Sequence, residues 1–282
     1  MSNTHDSINP SDAESGTSAL VRINKALSMA GVCSRRAADD LVAQGLVAVN
    51  DVIVTSAGTK VDPALDCVTV QGEPVVLSAP GEGQLHYVLI NKPTQVVTTV
   101  SDPQGRRTVM DVLPARLQKH RLFPVGRLDF FSQGLLLLTN DGELANRLTH
   151  PRWHLPKVYH VTIRGEVSEA KLETMRQGMV LAEGETLAPM GVDIVNRQAG
   201  TVKLGITLIQ GLNRQIRRMC RDLGLTVLRL ERVAQGPIDL GDLREGQVRV
   251  LVPEEINTLL RAVGLEPKKR QAPRTGERPA KG

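Results

Sequence analysis

The stretch Gly126–Gly142, "GRLDFFSQGLLLLTNDG", sets one carboxylate, Asp129, beside Leu128, two phenylalanines and the unbroken run Leu135–Leu138. Four consecutive leucines show no alternation. That predicts a short strand buried on both faces, which Asn140-Asp141-Gly142 then ends with a turn. Asp129 is thereby placed just upstream of a core. An ionised carboxylate left unpaired in such surroundings costs on the order of several kcal/mol, so the position calls for a cationic partner or a chemical task.

Working outward, 282 residues of which 41% are hydrophobic suffice for one sizeable domain and a smaller one. No apolar run approaches the ~18–20 residues of a membrane span. The first eighteen residues are polar and carry no Lys or Arg, so no secretory signal is expected and the expected location is the cytoplasm. Cys33, Cys67 and Cys220 are odd in number and far apart, which suits free thiols and neither disulfides nor metal-ligand spacing. Of the net charge of +5, residues 1–18 carry −3 and residues 266–282 carry +4, leaving +4 on the remainder. Such an excess is compatible with a polyanionic partner. Aromatic residues are few, yet Phe130, Phe131, Trp153 and Tyr159 gather around the opening motif.

The chain divides by pattern. Residues 1–18 and 266–282 lack apolar periodicity and read as tails, the second of them basic. Residues 19–76 read as a small module. Ile23, Ala26, Leu27 and Ala30 repeat at helical spacing before Gly31, Ser34 caps a second helix, and "LVAVNDVIV" is a hairpin about Asn50-Asp51. A Pro/Gly linker covers 77–84. Residues 85–265 open with "LHYVLINKP", a strand ended by Pro93, and mix strands with a few helices without βαβ alternation, which gives an α+β class.

Two basic clusters lack obvious partners. In "GLNRQIRRMCRDLG" a helix from about Asn213 to Gly224 sets Ile216, Met219, Cys220 and Leu223 on one face and Arg214, Arg217, Arg218 and Arg221 on the other. No acid lies at helical spacing from those arginines, Asp222 being off their line, so their repulsion is uncompensated unless an anion arrives; the plain alternative is a solvated charged face. Arg35 and Arg36 stand in the first turn of the second helix. Cations there oppose the helix dipole by about 0.3–1 kcal/mol each, which a backbone phosphate would relieve. Here too a screened surface pair is the alternative.

At these residues the sequence resembles known families. "RINKALSMAGVCSRRAADDLVAQGLVAVNDVIV" resembles the small RNA-binding module named after ribosomal protein S-four. "GRLDFFSQGLLLLTNDGELANRLTHP", "KVYHV" and "GLNRQIRRM" resemble the ribosomal pseudouridine synthases of the Rsu type. Four motifs in the family's order span roughly Val21–Val252. Two positions depart from the pattern: Gln95 stands in "NKPTQVV" where Gly is usual, and Asn24 replaces a frequent Asp.

The resemblance implies a helix-hairpin RNA-binding module followed by a mixed, largely antiparallel-sheet catalytic domain. It implies isomerisation of specific uridines in ribosomal RNA, with the large subunit or a pre-ribosomal particle favoured by "LIQGLNRQIRRMC", and a monomeric enzyme with no cofactor, metal or membrane partner. Asp129 matches the essential aspartate, Tyr159 the stacking tyrosine, and Arg217 the basic residue that pairs with and orients the aspartate. Leu230 matches an aliphatic pocket residue. Core roles for Tyr159 and Leu230 remain open at this point. Arg127, Arg214, Arg218 and Arg221, with Arg35 and Arg36, are expected to hold phosphate. An RNA-binding assembly factor without activity and a base-releasing glycosylase are the competing classes; the intact Asp129, Tyr159 and Arg217 set argues against the first.

Overall fold

The computed structural model describes residues 20–77, 84–153 and 155–267. The tail expected at 1–18 lies outside them, as do most of the linker expected at 77–84 and nearly all of the tail expected at 266–282. The chain divides into two compact units, Met1–Gln84 and Leu85–Gly282.

In the first unit β1 (Val21–Arg22) leads into α1 (Ile23–Met29) and α2 (Arg35–Ala43), followed by β2 (Val47–Val49), β3 (Val52–Ile53), β4 (Lys60–Val61), β5 (Val68–Val70) and β6 (Glu73–Val75). Ile23, Ala26 and Leu27 of α1 pack with Ala38 and Val42 of α2. Ser34 caps α2, its hydroxyl accepting from the Ala37 N–H at 3.2 Å. Asn50 and Asp51 both have positive φ, as a two-residue hairpin between β2 and β3 requires.

The second unit contains β7 (Tyr87–Lys92), α3 (Ala115–Gln118), β8 (Phe123–Pro124), β9 (Gln133–Thr139), α4 (Gly142–Thr149), β10 (Lys157–Arg164), α5 (Glu169–Gln177), β11 (Gly191–Gln198), β12 (Thr201–Leu208), α6 (Gln215–Asp222), β13 (Thr226–Gln235), β14 (Ile238–Asp239), β15 (Val248–Val250) and α7 (Pro253–Ala262). One sheet runs β11-β12-β10-β13-β9-β7-β15, with β14 beside β13 and β8 beside β9. Its pairings are antiparallel apart from β13 with β9.

The leucine run lies in β9, every residue of which is buried. Alternate residues enter different cores. Leu135 and Leu137 pack with Leu144, Leu148, Leu259 and Leu260 of α4 and α7, while Leu136 and Leu138 pack with Val109, Leu113, Leu122 and Leu128. Apolar cover on both faces is why the sequence does not alternate there. At β12 one face is covered by Leu172, Met175, Ile216 and Met219 and the other is polar, so alternation returns.

Gly134 permits the parallel junction between β9 and β13. Its φ is +105°, and a Cβ there would overlap the main-chain oxygen of Arg232, its register partner. Among the described residues no helix is long and apolar enough to cross a membrane.

Candidate active site

Asp129 sits in the loop between β8 and β9, and that loop is held from several directions. Lys92, at the end of β7, is fully buried, and its Nζ donates to the main-chain oxygens of Pro93 (2.9 Å), Asp129 (3.2 Å) and Ser132 (2.9 Å). Thr98 Oγ1 donates to the Leu128 carbonyl at 2.7 Å. The Gln95 N–H donates to the Phe130 carbonyl at 2.7 Å, with Gln95 at φ +60°. Gln95 thus adopts the left-handed conformation that explains the usual glycine there. With its backbone fixed, the Asp129 side chain remains 29% accessible and can meet a substrate. Burial lowers the Lys92 ammonium to about 8, against the opposing pull of Asp129 and Glu245.

The carboxylate borders a cleft of about 620 Å³ that Tyr159, Arg127, Arg214, Leu230 and Arg232 also line. Tyr159, on β10, is half-buried and packs against two hydrophobic clusters, so it bridges the core and the cleft. Leu230 is buried in the core and still contributes to the cleft wall, which joins its two readings. A smaller depression of about 190 Å³, lined by His160, Thr162, Lys203 and Glu231 among others, contains none of the expected catalytic side chains.

The arginines of α6 correct the sequence reading in two ways. First, the pairing expected between Arg217 and Asp129 is absent. Arg217 Nη2 instead donates to the Phe131 carbonyl at 2.7 Å and to Ser132 Oγ at 3.4 Å, on the loop that carries Asp129. The ion contact of Asp129 is with Arg214, whose Nη1 lies 4.0 Å from Oδ2. Arg214 enters α6 in the left-handed conformation, φ 49°, which turns the chain ahead of the helix. Burial, and then the neighbouring Arg214, depress the Arg217 guanidinium from its ordinary value, while Asp129 opposes the shift.

Second, Arg218 and Arg221 do not lack acids. Arg218 contacts Glu183 and Glu185, and Arg221 contacts Glu183 and Asp222, the latter two both at 2.7 Å. Glu183 and Glu185 lie in the turn after Leu181, about thirty-five residues away in sequence, where helical spacing could not reveal them. Both arginines therefore have protein carboxylates as partners.

In the first unit Arg35 and Arg36 are exposed at the start of α2. Arg35 Nη2 lies 3.5 Å from Asn24 Oδ1, and Asn24 Nδ2 donates to Asp39 at 2.7 Å. An amide at position 24 serves both neighbours. An aspartate there would face Asp39 with like charge.

Lys92 and Arg232 escaped the sequence reading. A lysine closing an otherwise apolar strand before proline was the available signal for Lys92. Arg232 lies in "RLERVA", where its burial follows from a parallel contact that local pattern does not encode. Among the described residues no three His, Cys, Asp or Glu side chains are grouped to hold a metal ion.

Comparison with known proteins adds to this geometry. The family model for RNA pseudouridylate synthase matches residues 86–222, and that for the S4 domain matches residues 21–66. An uncharacterized RNA pseudouridine synthase of Aquifex aeolicus (strain VF5) is 43% identical over 254 residues, covering 89% of this chain and 99% of its own length. The ribosomal large subunit pseudouridine synthase B of Bacillus subtilis (strain 168) is 37% identical over 242 residues, covering 85% and 96%. A crystal structure of a pseudouridylate synthase aligns with a TM-score of 0.60 at 27% identity, covering 85% of this chain and 99% of that one.

Proposed function

The chain belongs to the RNA pseudouridylate synthase family and carries an S4 domain, and from that premise we propose that it isomerises uridine in large-subunit ribosomal RNA with Asp129 as the catalytic carboxylate. Family membership makes it an isomerase that converts uridine to pseudouridine in RNA. The large-subunit target is supported by the name of the Bacillus subtilis relative. The observation that carries the catalytic assignment is the loop itself: its backbone is tied down by Lys92, Thr98, Gln95 and Arg217, and its carboxylate is free to face the cleft.

The chemistry suits one carboxylate. The bond between N1 of uracil and C1′ of the ribose breaks, the base turns, and C5 joins C1′; C5 loses its proton and N1 gains one. Asp129 supplies negative charge where the ribose becomes electron-poor, as carboxylates do in glycoside cleavage. Water is not a reactant, so a second carboxylate to activate it is not needed. No group enters or leaves, so the reaction calls for no cofactor.

The uridine must leave its stack to reach Asp129, at a cost of about a few kcal/mol, and Tyr159 offers an aromatic surface against which the flipped base rests. Leu230 closes the apolar wall, Arg217 keeps the loop in place, and Arg127 and Arg214 meet the backbone at the cleft. The S4 domain, through Arg35 and Arg36, adds phosphate contacts that set register rather than chemistry. We place this activity in a monomer in the cytoplasm, with which the absence of a disulfide at Cys33, Cys67 and Cys220 is consistent.

Mapping pseudouridine in ribosomal RNA from cells with and without the gene tests the reading. Loss of one or more large-subunit sites is the expected result. An unchanged large-subunit map overturns the target assignment.

A further inference from the structure

Two cations inside the cleft have no acid. Arg232 is 2% exposed; its Nε donates to the Leu135 carbonyl at 2.7 Å, and its buried Nη2 has no partner. Lys157, half-buried, donates from Nζ to the Leu155 carbonyl at 3.2 Å. Neither forms an ion pair among the described residues, and Asp129 makes its ion contact with Arg214. Burying positive charge without a counter-ion is costly, and a cleft wall is where an incoming anion can repay that cost.

The register of β10 and β13 places the two as diagonal neighbours. Lys157 pairs with Gln235 and Tyr159 with Arg232, and a bulge between these pairs passes over Val233, so all four side chains reach the same cleft. Gln235 is also buried, and its Oε1 lacks a donor. Facing residues on antiparallel strands stand about 4.5–5.5 Å apart at Cβ, and Lys157 lies roughly 7 Å along the strand from Tyr159, a distance one nucleotide spans. Burial, and next the proximity of Arg232, lower the Lys157 ammonium from its ordinary value, as expected for two cations that share one space.

We infer that Arg232 and Lys157 form a phosphate subsite within the cleft, which grips a phosphodiester adjoining the uridine whose base rests on Tyr159. This rests on the function proposed above and adds to it the means by which the flipped nucleotide is held. A guanidinium fork and an ammonium together supply the donors that two phosphate oxygens accept. Fixed by its bond to Leu135, the guanidinium pays little entropy on binding.

The test uses the full chain and a synthetic ribosomal RNA stem-loop carrying the mapped uridine, with either flanking phosphodiester replaced by a neutral methylphosphonate. Single-turnover isomerisation is followed against enzyme concentration for the wild type, Lys157→Gln and Arg232→Lys, with thermal unfolding to show that each variant is folded. For one of the two linkages, neutralisation is expected to raise the half-saturating concentration about tenfold with the wild type, and Lys157→Gln to raise it about tenfold with native RNA. Combined, they should still give about tenfold, because both remove the same contact. Arg232→Lys provides the same comparison if Lys157→Gln is unfolded. Effects that multiply to about a hundredfold, or no effect of either linkage, overturn the subsite while wild-type turnover of native RNA upholds the function; absence of that turnover overturns both.

Discussion

Lys92 Nζ lies 3.2 Å from the main-chain oxygen of Asp129 and 2.9 Å from that of Ser132, so one buried cation holds both ends of the turn that begins at the proposed catalytic residue. Its third bond goes to the Pro93 carbonyl. A lysine without an ion-pair partner is expensive to bury; here three carbonyl dipoles offset the cost.

Replacing Lys92 by Met leaves those carbonyls without their donor and should destabilise the catalytic unit by about 2–4 kcal/mol, read from denaturant unfolding. A pH effect follows. Because the folded value is about 8, below the unfolded value, the unfolded chain holds a proton between about pH 8 and 10.5 that the folded chain has lost, so this group's contribution to stability rises with pH in that window. The neutral amine, however, has two hydrogens for three carbonyls. Single-turnover rate should therefore fall as pH rises through about 8, without a matching loss of stability from this group. Persistence of that limb in folded Lys92→Met would assign it to another residue.

Arg217 acts on the same loop from α6, through Phe131 and Ser132 rather than through the carboxylate. Arg217→Met should lower the single-turnover rate about a hundredfold at saturating enzyme, the scale set by small misplacement of a reacting group, with little change in RNA affinity. Arg217→Lys keeps the charge but not the planar fork and should fall between. A defect confined to affinity contradicts the positioning role.

Much of this was legible in the sequence where local pattern and packing agree. The leucine run reads as a doubly covered strand because every residue of it meets apolar side chains, and Ser34, by its capping hydroxyl, and Asn50-Asp51 and Gly224, by backbone sterics, mark ends that local chemistry dictates. The helical register of α6 likewise puts Ile216 and Met219 inward. What stayed hidden depends on distant partners. Glu183, which meets both Arg218 and Arg221, comes from another turn, and the exchange of Arg217 for Arg214 beside Asp129 depends on a left-handed residue at the helix entry. Spacing along one helix carries neither.

Gln95 adopts φ +60° where a glycine would be unstrained. The left-handed conformation costs a side-chain-bearing residue about 1–2 kcal/mol, against about 0.4–1 kcal/mol that glycine loses through its freer unfolded chain. Gln95→Gly should therefore stabilise by about 0.5–1 kcal/mol and raise the calorimetric Tm of the catalytic unit by about 2 °C. The bond from its N–H to Phe130 is main-chain and survives. A lowered Tm would mean that the Gln95 side chain contributes more than its backbone strain costs.

The central claim is that the Asp129 carboxylate performs the isomerisation, and single-turnover conversion of uridine to pseudouridine by Asp129→Asn measures it directly. The amide has similar size and the loop is fixed by main-chain bonds, so the variant should fold and bind ribosomal RNA within a few-fold of the wild type, most of the affinity coming from phosphate contacts elsewhere. The predicted result is RNA bound with no pseudouridine formed. Pseudouridine formation by Asp129→Asn at the wild-type rate would contradict the account.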